Sequence, residues 1–103
     1  MNMTFYRFTF KKEHDLKQIE DTISLSVLAA GCLLGESAVR LDFRYTVGPS
    51  TATGLPTAVL GFYGQAGECV VRMFTGFASH EYGNDSFKTI RVETNEQQEL
   101  ETP

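Results

Sequence analysis

Arg7, Arg40, Arg44 and Arg91 are four of the chain's five arginines, and each lies in a segment that alternates apolar and polar side chains. A guanidinium grips a carboxylate or phosphate through a two-pronged hydrogen-bonded fork. Phe5, two residues before Arg7, adds a ring on which a base or another planar group could stack. If these segments are strands of one sheet, residues of equal parity share a face. Phe5, Arg7, Arg40, Arg44 and Arg91 then make a binding face for nucleic acid or an anionic ligand, as RNA-binding sheets do with aromatics on their central strands. The competing reading is a polar face that only meets water.

Other groups capable of chemistry do not converge. Catalysis by a nucleophile needs a base beside it and an orienting group behind, and no Gly-x-Ser-x-Gly is present. Cys32 and Cys69 lie far apart within helical patterns and are expected as buried, reduced thiols. His14 and His80 fall at the opposite end of the helices from the cysteines, so no metal-ligand set with close spacing forms. Gly61-Phe62-Tyr63-Gly64-Gln65-Ala66-Gly67 joins a strand to a helix, where glycines can cradle a phosphate. It lacks the Lys-Ser/Thr of a phosphate loop, and Glu68 in the first helical turn repels an anion. Gly61 to Gly64 also matches a fragment of an RNA-recognition signature, without its basic residue or its second aromatic. The expectation is a non-enzymatic protein with no metal and no cofactor.

The elements that must position these residues can be read from periodicity. Thr4 to Phe10 alternates and is the first strand, with Tyr6, Phe8 and Phe10 on one side and Phe5, Arg7 and Thr9 on the other. Asp15 is a helix N-cap with Gln18 three residues on, and Gly35 is a natural stop. Ala38 to Val47 alternates strictly and predicts a second strand, with Arg40, Asp42, Arg44 and Thr46 on its polar side. The stretch from Gly48 to Pro56 is a loop rich in Gly, Pro and hydroxyl residues with a mobile tip. Thr57 to Tyr63 is a third strand, Gln65 to Tyr82 a second helix stopped by Gly83, and Phe87 to Glu93 a fourth strand.

A strand-helix-strand-strand-helix-strand order with right-handed crossovers predicts an α+β ferredoxin-like sandwich. Its four-stranded antiparallel sheet has the order 4-1-3-2, with two helices on one face. The helix-free face would receive Phe5, Arg7, Arg40, Arg44 and Arg91, with Thr57, Val59, Phe87 and Thr89. A chain of 103 residues makes one such domain, placed at residues 1–93. Net charge is −4, but residues 93–103 carry four glutamates and no base. Residues 94–103 are therefore expected as a disordered acidic tail that cannot offset its ordering entropy. No apolar run reaches membrane-spanning length, and the start of the chain has no basic-then-apolar leader, so a cytoplasmic protein is expected.

One feature of the first helix bears on function. Leu16, Ile19, Ile23, Val27, Ala30 and Leu34 form a core stripe, yet Leu25, Leu28 and Cys32 form a second stripe roughly opposite. A helix apolar on two sides is covered twice. Leu25, Leu28 and Cys32 therefore predict a contact with the second helix or with another subunit. The function expected from the sequence is an interaction module that forms a homodimer or docks a protein partner. Nucleic-acid or anion binding through the arginine face is the alternative.

Overall fold

The computed structural model describes residues 3–92; the expected domain boundary at 93 and the tail 94–103 lie outside the described residues. The chain folds as β1 (Thr4–Phe10), α1 (Leu16–Leu34), α2 (Glu36–Asp42), β2 (Phe43–Pro49), β3 (Pro56–Phe62), α3 (Gln65–Tyr82) and β4 (Phe87–Val92). All neighbouring strands pair antiparallel in the order β2-β3-β1-β4, which is the expected 4-1-3-2 read from the other edge. The fold is ferredoxin-like, with β1 and β3 central and the helices layered on one side.

The core follows from the alternation of the two central strands. Phe8 and Phe10 of β1 and Ala58 and Leu60 of β3 are fully buried beneath Ile19, Ile23 and Ala30 of α1 and Val70 and Phe74 of α3. The Phe8 and Phe74 rings meet edge to face, with centroids 4.9 Å apart. That quadrupole-favoured geometry adds about 0.5–1.5 kcal/mol to the area it buries.

Helix α1 starts where its sequence says it should. Asp15 is the N-cap, its carboxylate accepting the Lys17 N–H at 3.2 Å. The helix ends as Gly35, at φ +96°, donates its N–H to the Gly31 carbonyl. The rotation of α1 about its axis is less expected. Thr22 and Ser26 are buried, with hydroxyls bonded to the Gln18 and Thr22 carbonyls at 2.9 and 2.8 Å. Self-satisfied hydroxyls can be buried without orphaned polar groups. The Tyr82 hydroxyl of α3 completes the seam, 2.9 Å from Thr22 Oγ1 and donating to the Gln18 carbonyl at 3.1 Å.

Residues 36–42 differ from expectation: they form a helix, not the start of the second strand. Val39, Leu41, Phe43, Tyr45 and Val47 alternate, but Val39 and Phe43 are also four apart, one helical turn. Both are buried, whereas Leu41 between them is 74% exposed. The Glu36–Arg40 ion pair, 2.6 Å across i,i+4, supports the helical choice. Gly31 lies where α2 folds back: a Cβ there would sit 3.6 Å from Glu36 Cα, an ordinary contact.

Candidate functional site

Registers decide which candidates share a face. Directly paired residues project to the same side of a sheet. Phe5, Arg7 and Thr9 pair with Gly61, Val59 and Thr57 on β3 and with Val92, Ile90 and Lys88 on β4. Arg44 and Thr46 of β2 pair with Gly61 and Val59. Phe5, Arg7, Arg44, Thr46, Thr57 and Val59 therefore do occupy the helix-free face.

Two of the four arginines do not. Arg40 lies on α2, in an ion pair with Glu36, because the alternating run opens as a helix. Arg91 pairs with Tyr6, and Phe87 and Thr89 pair with Phe10 and Phe8, so all three project to the helix side. The cause is Phe87, whose ring joins the aromatic core at centroid distances of 5.3 Å from Phe10 and 6.0 Å from Phe8. Burying that ring sets the phase of β4 and turns Lys88, Ile90 and Val92 to the open face. Arg44 keeps its place, but its Nη1 donates to the Arg40 and Phe43 carbonyls at 3.1 and 2.8 Å. It thereby satisfies a carbonyl at the end of α2. Phe5 lies over Gly61, where a Cβ would come within 2.5 Å of its ring. Neither arginine on this face has an ion-pair partner among the described residues, but Arg44 is engaged by backbone carbonyls, which leaves Arg7 as the one with a free guanidinium among them.

Asp42, expected beside the arginines on the polar side of the second strand, does something the sequence did not disclose. Its carboxylate accepts the Gly64 N–H at 2.7 and 2.9 Å and the Gly67 N–H at 2.7 Å. Its carbonyl accepts the Tyr63 N–H at 3.2 Å. The glycine-rich entry to α3 is thus an anion cradle occupied by the protein's own carboxylate. Gly67 is required for the approach: a Cβ there would overlap the Phe62 side chain and sit 2.5 Å from the Asp42 carbonyl oxygen. The signal available in sequence was an acid after an i,i+4 pair and two glycines at a helix start, with nothing local to connect them.

The second apolar stripe of α1 is uncovered within the chain. Leu25 is 47% exposed, Leu28 64%, and Cys32 is also exposed, so none is covered by α3. The turn of α1 toward α3 through Thr22 and Ser26 explains this. Both thiols are free, and Cys32 is a surface residue where a buried one was expected. Among the described residues, five of the eight exposed large hydrophobics lie between Leu25 and Leu41, which concentrates the apolar surface on α1 and α2. Beside the stripe runs a groove of about 500 Å³ between α1, α2 and the start of β2, lined by Val27, Leu28, Cys32, Val39, Phe43 and Tyr45, among others. Tyr45 is likewise exposed, on the helix side of the edge strand. Leu41, Tyr45 and the leucines closing α1 were missed because alternation assigned the first two to the core and periodicity assigned Leu34 to it.

His14 packs between the Phe10 and Tyr82 rings, and its Nε2 is buried without a hydrogen-bond partner. No second ligating group joins it: no cluster of three or more His, Cys, Asp or Glu occurs among the described residues. No helix among them is long and apolar enough to cross a membrane.

No protein-family model and no curated protein matches the sequence. Among solved structures, the chain is similar to a dimeric ferredoxin-like protein of unknown function from Jannaschia sp. CCS1. The two are 17% identical, with a TM-score of 0.44 over 90% of this chain and 100% of that one. At that distance nothing of the other protein's assembly transfers to this chain.

Proposed function

We propose that this domain is a self-associating interaction module whose contact surface is the α1–α2 side, centred on Leu25, Leu28 and Cys32. The observation that carries the reading is the exposed leucine ridge of α1 beside an apolar groove. Knob and hole on one surface are what a twofold contact between identical chains requires, since each copy offers both. Charge agrees with a second copy as the occupant. The groove is bordered by Glu36 and Arg40, which neutralise each other within the chain. Lys17 and Asp21, one turn before Leu25, lie 4.0 Å apart. Two such surfaces meet without a block of like charge.

The structure lends less to the nucleic-acid alternative. Its row of four arginines reduces to Arg7 on the open face, with Arg44 engaged by backbone carbonyls and Lys88 at the edge strand. A phosphate backbone is held by several cations in sequence. Light scattering on the purified chain tests the proposal. A mass of twice 11.5 kDa at micromolar concentration is expected, and 11.5 kDa at every concentration refutes it.

A further inference from the structure

On the face opposite the helices, β1, β2 and β3 meet the β2–β3 loop in a cleft of about 450 Å³, within the usual size of a small-molecule site. Its floor is made of the cross-strand pairs Arg7–Val59, Thr46–Val59 and Thr9–Thr57. Its wall is the loop from Ser50 to Thr53, which is tied to itself by local hydrogen bonds. The Ser50 N–H donates to the Leu55 carbonyl and the Gly54 N–H to the Ser50 carbonyl, both at 2.8 Å. The Ala52 N–H donates to Ser50 Oγ at 3.2 Å. Gly54, at φ +76°, closes the turn.

Among the described residues, Arg7 is the one charged side chain lining the cleft, amid hydroxyls and apolar atoms. Its flanking partners on the central and edge strands are Val59 and Ile90, which place apolar side chains on either side of it. Asp42, the acid two residues before Arg44, is engaged at the start of α3. We infer that this cleft binds a small organic monocarboxylate, its carboxylate forked by the Arg7 guanidinium and its body lying on Val59 under the loop. One guanidinium matches one carboxylate in charge and in fork geometry. A polyanion would meet too few cations. The site stands apart from the α1 surface and does not depend on self-association.

The test is a titration of the isotope-labelled protein, followed by amide chemical shifts, with benzoate, with its neutral isostere benzamide, with inorganic phosphate and with a mixed-sequence oligonucleotide. Benzoate is expected to shift the amides of Arg7, Thr9, Thr46 and Thr57 saturably, with benzamide weaker by about tenfold or more, the loss of a charge-assisted pair. Arg7→Gln should abolish the difference between benzoate and benzamide, and Arg7→Lys should keep only part of it. Thr46→Val, at an exposed position, should weaken benzoate a few-fold without touching the core. Equal binding of benzoate and benzamide overturns the inference, as does unchanged benzoate affinity in both Arg7→Gln and Thr46→Val. Tighter binding of phosphate or the oligonucleotide at the same amides overturns the carboxylate assignment, and no shift at high millimolar benzoate overturns the site.

Discussion

Replacing Leu28 by Asp should convert the proposed dimer to a monomer while leaving the fold intact. Burying a leucine side chain completely contributes about 1.5–3 kcal/mol. Leu28 keeps 64% of its surface exposed in the single chain, so about 1–2 kcal/mol remains to be gained per protomer on association. Twofold symmetry counts it twice, giving about 2–4 kcal/mol per dimer, or roughly thirty- to several-hundred-fold in the dissociation constant. Desolvating the new carboxylate adds to the loss, so that range is a lower bound. The monomer itself should hardly notice. The position is exposed, and the helix-propensity difference is about half a kcal/mol, within the usual span for surface substitutions. Sedimentation over a concentration series gives the dissociation constant, and circular dichroism reports the fold. Ile90→Asp is the control. Ile90 is 50% exposed, but on the opposite face of the sheet, and its replacement should leave the mass unchanged. A monomer from Ile90→Asp together with a dimer from Leu28→Asp would place the contact on the sheet face and refute the reasoning.

Asp42→Asn should remove a charge-assisted tie to the first turn of α3. The expected cost is about 1.5–3 kcal/mol. Thermal denaturation would show it as a fall in Tm of roughly 6–24 °C for a domain of this size, and a change within a degree or two would deny the capping role. Gly67→Ala should destabilise by about 1–3 kcal/mol through overlap with Phe62 and the Asp42 carbonyl. Gly76→Ala, at a helical position with nothing within 4 Å, should instead stabilise by about 0.5–1 kcal/mol. Urea unfolding of the pair separates close packing from helix propensity, and equal signs would contradict the geometry. Phe87→Ala should cost about 3 kcal/mol or more, because its ring holds β4 in phase against Phe8 and Phe10; a cost under about 1 kcal/mol would remove the explanation offered for Arg91.

Local chemistry was legible wherever a residue's role is set by its near neighbours. The alternation of β1, the Asp15 cap, and the glycines at 35 and 83 that end α1 and α3 need only a few residues of context, and all stand where the sequence put them. The order of the elements, with the right-handedness of crossovers, was then enough for the sheet order. The second apolar stripe of α1 was likewise visible as a surplus of leucines on a helix that already had a core face. Three things required the tertiary structure. Residues 36–42 carry spacings of two and of four at once, and only the burial of Val39 and Phe43 against their neighbours selects the helix. The phase of β4 is a choice between faces that its own alternation leaves open, and the long-range demand of the Phe8 and Phe10 rings for Phe87 settles it. Asp42 reaches Gly64 and Gly67 across more than twenty residues of chain, a contact no periodicity encodes. These decisions dispersed the four arginines and left Arg7 alone in its cleft, because the side a side chain faces depends on register and packing partners, whereas its presence in a strand or helix is written locally.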